Sequence, residues 1–206
     1  SIGGAHCTPK GRMVFLFTAH GDADGDIILD VHPSVMDSAL ASLKKYAVFF
    51  RTEITDISDS YSNSQPPQSD LERLRTGRAE VVAETVEMFI PQMLNLDALG
   101  YINFKKGCYT GQEIIARAHY RGAVKRRMHH LALATDRVPN PGDEIKNSDD
   151  KSIGNIASAV RADDGKVEIL AVLNDKFSDA NEMQIGDLAL TAVTHLPLPY
   201  EIPASL

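Results

Sequence analysis

The chain has 206 residues, 43% of them apolar and 24% charged, with a formal net charge of −7. A chain of this length buries roughly 70% of its unfolded surface without disulfides or metals, and the composition excludes disorder, collagen and coiled coil as descriptions of the whole. The acidic balance, with aromatics at only 6%, argues against a protein that coats nucleic acid, and no apolar run approaches the length of a bilayer span.

No signal peptide is visible, and Ser1 reads as the start of a fragment. Residues 12–19 are rich in Val, Phe, Leu and Thr and predict a strand. A Gly/Asp turn at 20–25 and a second strand at 26–32 complete a hairpin. Residues 33–46 predict a helix, with Ser34 as its cap and Asp37 in its first turn. Val35, Met36, Ala39, Leu40, Leu43 and Ala47 recur there at helical spacing, and Lys44 and Lys45 suit the C-terminal dipole. Residues 48–57 read as a third strand. The stretch SDSYSNSQPPQS at 58–69 is polar and without apolar period, which predicts a loop or linker. Ser69 then caps a short helix from 70 to about 78. Residues 80–87 read as extended, 94–99 as a short helix closed by Gly100, and 101–104 as a short strand. Beyond 127 the character changes: 128–135, 152–160, 166–173 and 187–194 read as short strands between turns at 139–143, 162–165 and 185–187. The expected fold class is therefore α+β, with an α+β portion over 1–126 and a small antiparallel C-terminal β-barrel over 127–206.

The chemistry concentrates in FKKGCYTGQEIIARAHYRGAVKRR, residues 104–127. Thr110-Gly-Gln-Glu113 fits a capping box, with Tyr109 and Ile114 in the staple positions. Gly107 and Gly111 permit a sharp turn on either side of Cys108. That places Cys108 just ahead of a helix N-terminus beside Lys105 and Lys106, a setting that favours the thiolate. A lone cysteine as a small buried hydrophobe is the alternative, and local physics leaves both open. Cys7 and Cys108 form no Cys-x-x-Cys pair and no zinc spacing, which predicts free thiols in a reducing, cytoplasmic compartment and no stably bound metal. Residues 105–130 hold seven cations (Lys105, Lys106, Arg117, Arg121, Lys125, Arg126, Arg127) against one acid, Glu113, together with His119, His129 and His130. Such a strip suits an anionic ligand or partner, or else is a solvated face neutralised by the acidic remainder.

Lys106-Gly-Cys-Tyr-Thr-Gly-Gln-Glu113 resembles the signature of the YgfZ-type folate-binding proteins, relatives of the glycine-cleavage aminomethyltransferase (T-protein). The context is similar as well: PKGR at 9–12, FIPQMLNLDALGYINF at 89–104, Arg117, and Arg121-Gly122. The resemblance implies an aminomethyltransferase-like fold and a tetrahydrofolate-binding protein that supports iron–sulfur cluster assembly or repair. It also implies iron–sulfur proteins as partners, a tRNA-methylthiolating enzyme among them. By the same resemblance Cys108 and Lys106 are the catalytic positions, and Gly107, Tyr109, Gly111, Gln112, Glu113, Arg117 and Arg121 bind the cofactor. Family members are longer, with a further α+β portion roughly where 58–69 stands. The aminomethyltransferases carry a non-cysteine residue, typically Asp, at the Cys108 position, which argues against simple glycine-cleavage chemistry.

Two other readings stand beside this one. A tetrahydrofolate-dependent aminomethyl transferase needs a carboxylate to handle a proton near the folate nitrogen. Asp22, Asp24 and Asp26 read instead as turn residues. An RNA-binding module would use the strip at 105–130, but the acidic remainder and sparse aromatics count against direct RNA binding. No membrane contact is expected.

Overall fold

The computed structural model describes residues 1–61, 69–120 and 124–203. The N-terminal sheet has three antiparallel strands in the order β1 (Ile2–Cys7), β2 (Met13–Gly21), β3 (Ile27–Val31). Helix α1 (Met36–Ala47) packs Ala39 against Phe15 of β2 and against Val35. The first strand went unseen in the sequence because Gly3 and Gly4 depress β-propensity. Both glycines have reasons in the fold: a Cβ at Gly3 would fall within the Tyr101 ring, and one at Gly4 would meet Phe17.

The second sheet contains β4 (Arg126–Leu133), β5 (Glu144–Lys146), β6 (Ser152–Arg161), β7 (Val167–Asn174), β8 (Met183–Ile185), β9 (Leu188–Leu190) and β10 (Val193–Leu196). Their order is β10-β4-β7-β6-β5-β8-β9, every neighbouring pair antiparallel. The sheet curls, but β10 and β9 are not hydrogen-bonded to one another among the described residues, so the strands follow an open order rather than a closed ring.

Strand β7 explains the layering. Val167, Ile169, Ala171 and Leu173 fill one core with Leu131, Leu133, Ile145 and Ile153, while Leu170 and Val172 fill another. A strand buried on both faces reads as a continuous apolar run, with its two faces set by the period of two. The second core also takes Met13, Leu16, Leu74, Phe89, Leu94 and Ile115, so it draws on both sides of residue 126.

One charge sits among these apolar rows. Glu168 of β7 is buried; Arg75, at the end of α2 (Asp70–Arg75), donates from Nε to both of its carboxylate oxygens at 3.1 Å, and His130 Nε2 of β4 lies 2.9 Å away. Hydrogen bonding from Arg75, aided by His130, holds the Glu168 carboxyl below its ordinary value although burial pushes the other way. The network ties α2 to the sheet through a carboxylate that is paired before it is buried.

Several predicted elements are corrected. Residues 48–57 form a turn at 48–51 followed by irregular chain rather than a strand, joining neither sheet, and Val48, Phe49 and Phe50 are exposed. His32, not Ser34, caps the turn before α1, accepting the Ser34 N–H; the Ser34 hydroxyl instead accepts the N–H of Ala83. The Ser69 cap is present as a full capping box with Glu72. Residues 80–87, read as extended, are broken by a 3-10 turn at Ala83–Thr85, beyond which the Glu87 N–H donates to the Met13 carbonyl of β2 at 2.8 Å; 101–104 form no strand, and the segment after Ile90 opens as a short 3-10 helix at Pro91–Leu94 rather than a helix at 94–99. Most of the predicted 58–69 loop lies outside the described residues.

Because Glu168 has a depressed value in the folded chain, its contribution to stability is present above the usual glutamate range of about 4.3 and is lost as pH falls through the folded value. Glu168→Gln is expected to cost about 2 kcal/mol at neutral pH, the half-exposed Arg75 tempering the loss, and to flatten the acid limb of stability against pH. Melting temperatures from pH 7 to pH 2 check this; an unchanged acid limb in the variant would show that Glu168 is not the titrating anchor.

Candidate functional site

The run 106–113 is held from two directions. Behind it, the segment after Phe89 acts as a bracket. Gln92, fully buried, donates from Nε2 to the Ile115 carbonyl at 2.7 Å and so fixes α3 (Gln112–Tyr120). The Gln92 carbonyl accepts Arg127 Nη1 at 2.8 Å, and the same guanidinium meets both oxygens of Asp97 at 2.7 and 2.9 Å. Asn95, at φ 56°, donates to the Met128 carbonyl at 2.8 Å. In front, the β1–β2 turn backs onto the start of α3. A Cβ on Gly111 would lie 2.7 Å from the Thr8 carbonyl oxygen and 2.9 Å from Gly11 Cα. Gly11 and Gly111 have φ of 71° and 83°, a conformation that favours glycine. The PKGR turn and the Lys106–Glu113 run are thus two sides of one close backbone contact.

That contact corrects the expected cap. Gly111, in the left-handed region, stands between Thr110 and the first helical residue, Gln112. Glu113 therefore falls in the second helical position instead of the third, and the Thr110–Glu113 exchange is not among the hydrogen bonds of the described residues. Gly107 is a further correction: its φ is not left-handed and open space surrounds its Cα, so the backbone does not require glycine there.

Cys108 is exposed, which removes the buried-hydrophobe alternative. Cys7 is the buried thiol, pushed up to about 12 by burial against the opposing pull of the Lys106 ammonium. Lys106 Nζ lies 4.7 Å from the centroid of the Tyr109 ring. The Tyr109 hydroxyl is itself buried without a hydrogen-bond partner among the described residues, and burial, with Cys7 nearby, pushes its phenol up. Cys7, Lys106 and Tyr109 form a cluster that sequence reading missed. Cys7 lies just ahead of the PKGR turn, and that adjacency was the available signal.

Gln112 and Glu113 open α3, and Arg117 is exposed along it; Arg121 lies outside the described residues. The basic strip divides. Lys105, Lys106, Arg117, Lys125 and Arg126 have no carboxylate within salt-bridge reach among the described residues, whereas Arg127 is buried and spent on Asp97. Asp22 is consumed by its turn, accepting the N–H groups of Asp24 and Asp26 at 3.0 and 2.8 Å. Two clefts of about 290 and 320 Å³ lie on the second sheet, lined by residues such as His129, His195 and Tyr200 and by Arg137, Asp143 and Lys146; Cys108 lines neither. Among the described residues no group of three or more His, Cys, Asp or Glu is arranged to hold a metal ion, and no helix is long and apolar enough to cross a membrane.

No family model matches the chain. It is 31% identical over 266 aligned positions to the tRNA-modifying protein YgfZ of Sodalis glossinidius, covering 96% of this chain and 81% of that protein. It is 30% identical over 268 positions to the protein of the same name from Enterobacter sp. (strain 638), again with 96% and 81% covered. These aligned stretches exceed the chain's own 206 residues, so the relatives carry sequence without a counterpart here. Among solved structures, the glycine cleavage system aminomethyltransferase T from Bartonella henselae matches with a TM-score of 0.56 and 14% identity, covering 97% of this chain and 76% of that one. The fold is accordingly aminomethyltransferase-like.

Two measurements follow from this geometry. Gly111→Ala is expected to cost about 2–3 kcal/mol through its φ and the Thr8 carbonyl, while Gly107→Ala leaves the melting temperature unchanged. Equal stability of the two variants would contradict the Gly11–Gly111 contact. A maleimide at neutral pH is expected to label Cys108 in the native protein and Cys7 only after unfolding; mass spectrometry showing equal native labelling would place Cys7 at the surface.

Proposed function

The chain belongs to the YgfZ family, and from that premise we propose that it is a folate-binding accessory protein that supports iron–sulfur cluster assembly or repair and, through it, tRNA modification. The observation that carries the reading is the exposed Cys108 within the complete Lys106–Glu113 run. The names of the relatives, tRNA-modifying proteins, support the modification role. The aminomethyltransferase-like fold supports tetrahydrofolate as ligand.

The residues present fit such a ligand. The buried Tyr109 hydroxyl has no partner of its own and suits a polar ring edge, and Gly107 leaves open space for close approach to the backbone. Lys106 and Arg117 suit the carboxylates of the glutamate tail. Tetrahydrofolate, when bound, supplies nitrogens that carry one-carbon units. Cys108 acts as the reactive group: a thiolate either ligates soft iron or attacks an electrophilic one-carbon or sulfur centre. Its exposure suits docking of a client protein's cluster. Aminomethyl transfer finds support in the fold alone, since Asp22 is committed to its turn and cysteine stands where the aminomethyltransferases carry a non-cysteine residue.

Cys108→Ala is expected to keep the wild-type melting temperature, because an exposed sulfur carries little packing, and to lose the activity of a cluster-dependent tRNA-modifying enzyme. The assay is complementation of cells lacking their own copy, read as methylthiolated tRNA. A folded variant that complements fully would refute the role of the thiol.

A further inference from the structure

We propose that the face formed by Phe104, His119 and Tyr120 is a stacking platform for a single-stranded stretch of RNA. Phe104 is anchored against the core shared by the two halves of the chain. The His119 ring stacks on it, with centroids 4.0 Å apart and planes 16° apart. Tyr120 closes the group edge-on to both, at 5.8 Å from Phe104 and 4.6 Å from His119. The outermost ring, Tyr120, is 62% exposed. An aromatic that large, braced edge-on by two rings yet left in water, presents a π-face at little cost in conformational entropy, and every nucleobase has a π-face to set against it.

Two exposed cations adjoin this group, with the acid Glu113 a further turn back along α3. Lys105 follows Phe104 directly, and Arg117 is the neighbour of Tyr120 one helical turn back. Lys105 and Arg117 are exposed, and neither has a carboxylate within salt-bridge reach among the described residues. Elsewhere cations are commonly paired, as Arg73 is with Asp70, Arg78 with Glu80, and Lys146 with Asp150. Unpaired cations flanking a stacking ring are what a flexible phosphate backbone with splayed bases requires, and a duplex, whose bases are already stacked, cannot use the ring. Whole-chain acidity and scarce aromatics count against RNA binding, but both are averages, and here three rings stand together with Lys105 and Arg117 beside them.

The proposal rests on the reading above only in choosing RNA over DNA. Fluorescence anisotropy with a labelled twelve-nucleotide single-stranded RNA, without folate, tests it, alongside the same sequence as single-stranded DNA, a blunt RNA duplex and heparin. The expected result is preferential binding of the single-stranded RNA, with affinity falling as salt rises. Tyr120→Ala should weaken that binding at least about fivefold, and Tyr120→Phe should restore it. Lys105→Ala should weaken binding and lower the salt slope by about 0.7. Melting temperatures of the variants are expected to match wild type. Binding indifferent to Tyr120→Ala, equal binding of duplex or heparin, or no binding at low salt would overturn the proposal, and equal affinity for the DNA strand would overturn the choice of RNA. Cys108→Ala is expected to bind RNA as wild type does, so failure of the thiol role and failure of the platform are read separately.

Discussion

The rest of the molecule depends on the guanidinium of Arg127. It is buried at the start of the second sheet, bonded at once to the carbonyl of Gln92 and to both oxygens of Asp97. A charge in that position is tolerable because both of its terminal nitrogens meet acceptors and one partner is a carboxylate. It fixes the bend between Pro91 and Asp97, and the bend places three other polar groups. Gln92 reaches α3, Asn95 reaches the backbone of β4, and the Phe89 carbonyl accepts the N–H of Met13 at the head of β2. Remove the guanidinium and the N-terminal sheet, α3 and the second sheet lose the segment they share.

With α3 so fixed, chemistry is divided between the two cysteines by position alone. Both lie near Lys106, but Cys7 ends a strand inside the shared core and Cys108 stands outside it. Desolvation silences the first, and water access leaves the second available. The same division runs through the cations. Arg127 and Arg75 are spent on buried carboxylates, while Lys105, Arg117 and Lys125 face solvent. Structure and surface recognition thus use the same residue types, sorted by whether a carboxylate arrives with them.

Much of this was legible beforehand, where the signal is local. The apolar runs of β2, β6 and β7, the Ser69 cap and the α1 repeat all depend on near neighbours in sequence, and each is present in the fold. The motif 106–113 was located, and its link to PKGR was noted as context without a physical reason. What sequence could not supply were the long-range causes. Gly111 looked like part of a cap because its contact with the Thr8 carbonyl is invisible until β1 is placed. Residues 48–57 have strand composition but no partner edge, and composition does not report partners. Arg127 was counted with a surface strip because a buried arginine and an exposed one are the same letter. The expected helix at 94–99 misses the Pro91–Leu94 turn because the role of this segment is carried by side-chain amides bonded far along the chain.

The stretch 88–97 also has a temporal meaning. Its ties run both ways along the chain: Arg12 donates to the Met88 carbonyl from 76 positions earlier, and Arg127 donates to the Gln92 carbonyl from 35 positions later. Synthesis proceeds from the N-terminus, so the β1–β2 hairpin is made well before the segment it bonds, and that segment before Arg127. Contacts of such separation slow folding, because loop closure must be met before any of them is rewarded. A nascent chain ending short of Arg127 leaves Asp97 without its guanidinium and the shared core without Met128, Leu170 and Val172.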